Sequence, residues 1–275
     1  MNFLRNKKYL CSIFLAPFFI YGAILGYFYS IQEARIFDSH TLNADYTFEF
    51  DIPFETISIQ TNDSTLSGLH FKVNHPKGVI YYLHGKSYNL SHSKWKKITK
   101  YFTEVLHHDV VMIDYRGFGK SKGPFTYEGL LEDTQKGYDY VKSHYEESKI
   151  TVYGLSLGSS FATYIASKNC PKQLILEAPF YSLKDAAQKT IKIFPEFIIE
   201  MILKYPLRTD LWIQTVKCPI ALFHGTKDLI LSYDSSIRLK EVAKAPCDLI
   251  LIEGADHDHL NLTKEYIEKI PMIIQ

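Results

Sequence analysis

Eight short runs of β-forming residues, separated by longer stretches of helical character, limit what this 275-residue chain can fold into. The runs fall at 56–60, 66–73, 79–83, 110–113, 150–153, 174–176, 220–223 and 249–252. Several are continuous apolar stretches rather than alternating ones, which suits strands buried on both faces, as in a parallel sheet covered by helices. The stretches between them, roughly 92–107, 126–147, 157–169, 183–204, 232–243 and 260–271, read as helices. Strand–helix alternation implies right-handed βαβ units. Asn62-Asp63-Ser64 between the first two runs is a turn signal, so these should form an antiparallel hairpin. The expected class is α/β, with a mostly parallel sheet, an antiparallel N-terminal hairpin and helices on both faces. No linker interrupts 56–275, which is therefore expected to be one domain, preceded by a connector of little periodicity at 32–55.

The first 31 residues differ in kind. Residues 9–31 carry no charged side chain, and 23 residues at about 1.5 Å rise span a hydrocarbon core of about 30 Å. Backbone groups in lipid must be satisfied internally, so the segment is expected to be one membrane-anchoring helix. Arg5, Lys7 and Lys8 precede it, and the positive-inside rule then keeps the N-terminus cytoplasmic and translocates the body to a periplasmic or extracytoplasmic side. A cleaved signal peptide is the rival reading; the run is long for one and lacks a persuasive A-x-A site. The formal charge is +1. Because the N-terminal segment holds only basic groups, the rest is close to neutral and offers no electrostatic footprint for nucleic acid. Cys11, Cys170, Cys218 and Cys247 are far apart and form no C-x-x-C motif.

The sharpest chemical signal is Gly154-Leu155-Ser156-Leu157-Gly158, directly after one strand and before a helix. A serine on so tight a turn needs neighbours without bulk at −2 and +2, and the turn lifts its hydroxyl above the sheet edge. Serine attacks only with a base and an orienting acid. Asp228 lies just past the strand 220–223, and His257 just past 249–252. The three thus leave one edge of one sheet in the order Ser, acid, His. His259 is an alternative base and Asp256 an alternative acid. The run Asp256-His257-Asp258-His259 also looks like a metal cluster but lacks a further ligand at suitable spacing. The oxyanion donors are expected to be the backbone N–H of Leu157 and that of Lys86, in the loop His84-Gly85-Lys86 after the strand 79–83. His107-His108 reads as solvated or capping. The run from Asp114 to Ser121 ends in G-K-S but has aspartate where a phosphate loop needs glycine; it reads as a structural loop at the pocket floor.

These residues carry a resemblance. Leu83-His84-Gly85 with Asn89, the Asp114-Tyr115-Arg116-Gly117-Phe118-Gly119 run with Ser121, Gly154 to Gly158, Glu177-Ala178-Pro179-Phe180 with Ser182, Leu183 and Asp185, Cys218-Pro219 through Asp228, and Gly254 through His257 resemble α/β-hydrolases of the BEM46-like group, the membrane-anchored hydrolases that include the α/β-hydrolase domain-containing protein 13 type. The resemblance covers roughly 52–265. It implies the α/β-hydrolase fold and a serine hydrolase that cleaves an ester, thioester or amide through an acyl-enzyme, with Ser156 as nucleophile, Asp228 as acid and His257 as base, and with no cofactor or metal. Two departures stand out. Lys86 occupies a position where the group usually has Asn, and Asp256 precedes His257, where a neighbouring negative charge is expected to favour the imidazolium.

A segment rich in Ile, Phe and Leu falls where such hydrolases insert a short cap, about 180–215. It either packs as core or walls an acyl chain, and a small-molecule or lipid acyl ester is the expected substrate. A catalytically silent scaffold at the membrane, and an acyltransferase or peptidase on the same three residues, are the competing functions. Oligomeric state and substrate identity are not legible in the sequence.

Overall fold

The computed structural model describes the backbone of residues 2–274 and the side chains of residues 15–274. Eight strands form one sheet: β1 (Phe54–Gln60), β2 (Thr65–Phe71), β3 (Val79–Leu83), β4 (Asp109–Ile113), β5 (Ile150–Leu155), β6 (Gln173–Glu177), β7 (Ile220–Gly225) and β8 (Cys247–Ile252). Their spatial order is β1-β2-β4-β3-β5-β6-β7-β8. The β1–β2 and β2–β4 pairs are antiparallel, and every pair from β4 to β8 is parallel. This is the α/β-hydrolase arrangement, with the expected hairpin closed by the bond from Thr61 N–H to the Ser64 carbonyl.

Ten α-helices accompany the strands among the described residues: α1 (Asn2–Ser30), α2 (Gln32–Ile36), α3 (Lys94–Lys100), α4 (Tyr127–Lys142), α5 (Leu157–Lys168), α6 (Leu183–Thr190), α7 (Glu196–Ile202), α8 (Thr209–Trp212), α9 (Asp234–Val242) and α10 (Lys264–Ile273). The alternation of side chains along a strand divides the core in two. Tyr81 and Leu83 of β3 pack with Tyr138 of α4, Phe161 of α5 and Leu239 of α9 on one face. Ile80 and Tyr82 pack with Trp95 of α3, Phe102 and the α10 residues Tyr266 and Ile270 on the other. Side-chain caps fix several helix starts: Thr126 accepts from Gly129 N–H, Ser182 from Asp185 N–H and Thr263 from Tyr266 N–H.

The connector is packed down. Phe37 is fully buried and makes edge contacts with Phe125 and Tyr205. Its carbonyl accepts from Ser87 N–H, while Gln32 donates to the Ile202 carbonyl and accepts from Lys204 N–H. The expected helix 183–204 is broken between Thr190 and Glu196, where Pro195 starts α7 in an extended conformation.

α1 runs through the segment expected to cross a membrane. The part of that expectation that concerns the side chains of residues 9–14 lies outside the described residues. Among the described residues no helix is long and apolar enough to cross a membrane. The C-terminal part of α1 packs Ile24, Leu25 and Phe28 against Phe194, Ile198 and Ile199 of the cap region. Cys170, Cys218 and Cys247 are free thiols.

Two buried histidines tie stability to pH. His70 is enclosed with its ring nitrogens 3.0 Å from the Tyr140 hydroxyl and 2.9 Å from that of Tyr145. Burial lowers its pKa to about 4, and burial does the same to His84. The unfolded chain binds these protons below about pH 6.5, the folded chain only near pH 4, so stability is lost as pH falls through that window. Each group is expected to cost about 2 kcal/mol at about pH 5. Urea unfolding at a series of pH values should show this decline, with a shallower slope for His70→Gln. An unchanged slope in that variant would contradict the assignment.

Candidate active site

Ser156 sits between β5 and α5 with φ 51° and ψ −113°, a left-handed backbone that costs energy in any residue but glycine. The glycines around it make the turn possible. A Cβ on Gly154 would lie 2.5 Å from the Gly158 carbonyl oxygen, and one on Gly158 would lie 2.1 Å from the Leu83 carbonyl oxygen and 2.6 Å from that of His84. The Ser156 N–H donates to the Glu177 carbonyl at 2.8 Å, which stitches the turn to the end of β6.

The structure brings Ser156, His257 and Asp228 together. His257 Nε2 lies 3.0 Å from Ser156 Oγ, and His257 Nδ1 lies 2.6 Å from Asp228 Oδ2. The Asp228 side chain is fully buried and every lone-pair direction is used. Oδ1 accepts from the N–H groups of Ile230 (2.9 Å) and Leu231 (2.8 Å), and Oδ2 faces His257 and, at 3.2 Å, His224 Nε2, which also lies 2.8 Å from the Leu231 carbonyl. Burial alone would raise this carboxyl's pKa, but the hydrogen bonds from His224, His257 and the backbone outweigh it and hold the group well below the usual carboxylate range. The two loops that carry Asp228 and His257 are tied to each other. Lys227 N–H donates to the Ala255 carbonyl at 2.9 Å, and Gly254 N–H donates to Thr226 Oγ1 at 2.9 Å.

The alternatives noted in the sequence are placed elsewhere. Asp256 makes no hydrogen bond to His257: its carboxylate accepts from the N–H groups of Asp258 and His259 and lies 3.0 Å from His259 Nδ1. That pairing turns both side chains outward. No cluster of three metal-ligating groups occurs among the described residues. His108 is buried rather than solvated and sits 2.8 Å from the Leu106 carbonyl.

The loop His84-Gly85-Lys86, expected to supply an oxyanion donor, has a clear orientation. His84 Nδ1 lies 2.7 Å from the Gly85 carbonyl oxygen, and all peptides of the described chain are trans. In a trans peptide N–H and C=O point in opposite directions, so the Lys86 N–H is aimed away from the His84 ring. Leu157 is the first residue of α5, and its N–H lies outside the intrahelical ladder. The loop from Asp114 to Ser121 is not the pocket floor. It braces the loop after β3: the Tyr115 hydroxyl donates to the His84 carbonyl at 2.9 Å and Asp114 Oδ1 accepts from Leu90 N–H at 3.0 Å. Arg116 and Asp133, both fully buried, lock it further through a two-pronged pair.

The cleft over Ser156 has a volume of about 210 Å³ and is lined by Lys86, Tyr88, Lys94, Ile230, His257 and Asn261, among others. Its lining includes no residue of the cap, whose apolar side packs on α1 instead. Sequence reasoning missed His224, which carried no signal beyond its place four residues before Asp228, and Lys94, which stands in no motif.

Residues 74–214 match the family described as serine aminopeptidase, S33. The chain belongs to this α/β-hydrolase family. Its relatives include protein bem46 of Schizosaccharomyces pombe, 29% identical over 220 residues, covering 75% of this chain and 73% of the relative. They also include the lysophosphatidylserine lipase ABHD12 of Danio rerio, 26% identical over 199 residues, covering 67% of this chain and 51% of the relative. The chain thus spans about half the length of the lipase it matches. These relatives are serine hydrolase-type proteins of the BEM46-like group. Among solved structures, an esterase of Pyrococcus furiosus superposes with a TM-score of 0.68 at 18% identity, covering 86% of this chain and 95% of the other. Est1E of Butyrivibrio proteoclasticus gives 0.62 at 17% identity, covering 80% and 98%. At such identities these two speak for the fold.

Proposed function

We propose that this protein cleaves a carboxylic ester through an acyl-enzyme. Ser156 Oγ attacks the ester carbonyl, His257 takes its proton, and Asp228 holds the imidazole and stabilises the imidazolium that forms. The N–H groups of Leu157 and Lys86 receive the oxyanion. His257 then protonates the departing alcohol, and water releases the acid by the same route. The observation that carries this reading is the continuous hydrogen-bonded path from Asp228 through His257 to Ser156, 2.6 and 3.0 Å long, opening on a cleft. The scheme needs no metal or cofactor.

The lipase relatives support an acyl ester of a lipid or small molecule as substrate. The family description favours a second reading, cleavage of a peptide bond beside a free amine on the same three residues. Aminoacyl-anilides assayed beside p-nitrophenyl esters separate the two. Residues 9–31, free of charge and carrying the exposed rings of Tyr27 and Tyr29 near the end of α1, support attachment of the chain to a membrane, and Arg5, Lys7 and Lys8 before them support an N-terminus on the cytoplasmic side.

A fluorophosphonate probe tests the proposal. It should label the folded protein once, on the peptide that contains Ser156, and labelling should vanish in Ser156→Ala. A folded protein that resists the probe, or labels elsewhere, would contradict it.

A further inference from the structure

Lys94 is a cation without a counter-ion. It opens α3 and lines the same cleft as Ser156 and His257. Its ammonium stands 3.9 Å from the centroid of the Tyr88 ring and 4.6 Å from that of Trp95. Trp95 is itself fixed, fully buried and with its indole N–H donating to the Asn89 carbonyl at 2.8 Å. Among the described residues no carboxylate lies within ion-pair distance of Lys94; Glu177 and Asp258 act on it only from further away. Two aromatic faces make a partial cage but give a cation no hydrogen-bond acceptor. A half-buried ammonium so placed is costly unless a bound group completes its shell. Lys86, exposed at the rim of the same cleft, adds a second cation.

We propose that Lys94, with Lys86 at the rim, is an anion-recognition subsite, and that the favoured substrates carry a carboxylate or phosphate close to the scissile ester. The inference rests on the ester-cleaving reading above and assigns the chemistry of the substrate beside the reacting bond. The two aromatic rings hold the ammonium in place, and the substrate anion supplies the acceptor that the protein withholds.

The subsite has a pH signature. Burial lowers the Lys94 pKa to about 8, against the opposing pull of Glu177 and Asp258. The other groups around it are Tyr88, Lys86, His92, His257 and the buried His84, whose pKa is about 4 and which is therefore neutral above that pH. As pH rises through about 8 the ammonium loses its proton, and the preference for an anionic substrate should fade.

The test compares matched pairs of esters with the full chain at low ionic strength. One arm places the carboxylate on the acyl side, p-nitrophenyl hemiglutarate against p-nitrophenyl butyrate. The other places a phosphate on the alcohol side, butyrylglycerol phosphate against butyrylglycerol. The readout is the ratio of kcat/KM for the anionic to the neutral member. At about pH 7 that ratio is expected to be about tenfold or more in one arm, which also identifies the side of the ester that meets Lys94. It should fall toward one at about pH 9.5, stay high in Lys94→Arg at both pH values, and collapse in Lys94→Gln. A wild-type ratio near one in both arms, or an undiminished ratio in Lys94→Gln or at high pH, would overturn the subsite while leaving ester cleavage standing. Hydrolysis of no ester, together with no phosphonate labelling, would overturn the ester-cleaving reading and the subsite with it.

Discussion

Asp228→Asn is expected to lower kcat for ester hydrolysis by about 10⁴-fold in a protein that still folds. The reason lies in how the carboxylate is used. Oδ1 is held by two backbone N–H groups, and Oδ2 receives His257 Nδ1 at 2.6 Å and faces His224 Nε2 at 3.2 Å. An amide in its place can keep the bonds from Ile230 and Leu231 only by turning its NH2 toward His257. The imidazole must then accept at Nδ1 and carry its proton on Nε2, the tautomer that cannot take a proton from Ser156. The positive charge that develops on the ring would also lose its partner. The wild-type carboxylate, held well below the usual range, stays charged through the working pH, so the acid limb of the rate profile should not report Asp228. Steady-state kinetics of the variant, with circular dichroism as the check on folding, measure the loss; a decrease of less than about tenfold would mean that Asp228 does not orient the base.

Gly158→Ala is expected to produce the second large effect. Its Cβ would meet backbone atoms, the Leu83 carbonyl oxygen at 2.1 Å and the His84 carbonyl oxygen at 2.6 Å. Backbone at the end of β3 cannot step aside as a flexible side chain could, because Leu83 and Gly154 are paired in the sheet and the His84 carbonyl is tied to Tyr115. Either α5 or the loop His84-Gly85-Lys86 must move. A destabilisation of about 3 kcal/mol is expected, equivalent to a fall in Tm of roughly 6–12 °C for a domain of this size. Where the variant remains folded, displacement of the Lys86 N–H should lower kcat by about 10²-fold or more. Gly26→Ala in α1 is the matched control, since nothing lies within 4 Å of the added methyl group and alanine favours a helix over glycine, so its Tm should equal or slightly exceed that of the wild type. Thermal unfolding of the pair separates a steric cause from a general intolerance of substitution.

The strands were legible because their physics is local. Parallel strands buried on both faces must be apolar without interruption, and β3, with Val79, Ile80, Tyr81, Tyr82 and Leu83 all buried, announces itself as such. The serine turn was legible for a similar reason: the contacts that a Cβ on Gly154 or Gly158 would make leave glycine as the residue that fits. What stayed hidden depends on partners far along the chain. Phe37 looks like a lone aromatic in a connector, and only the distant Phe125 and Tyr205 make it core. The apolar residues of the cap were as consistent with an acyl wall as with packing, and the packing partner, α1, lies about 170 residues away, as does Gln32 at the start of α2, which bonds to Ile202 and Lys204. His224 and Lys94 have no periodicity or motif of their own. Their roles arise from the groups that the fold puts beside them, a carboxylate in one case and two aromatic rings in the other.

In the proposed mechanism Ser156 carries the acyl group between two half-reactions. Rapid-quench mass spectrometry during turnover of p-nitrophenyl butyrate tests it most directly. A transient butyryl adduct is expected, at most one per chain, on the peptide that contains Ser156, formed together with a burst of p-nitrophenol and missing from Ser156→Ala. Turnover with no adduct in the wild type, and an undiminished rate in Ser156→Ala, would contradict it.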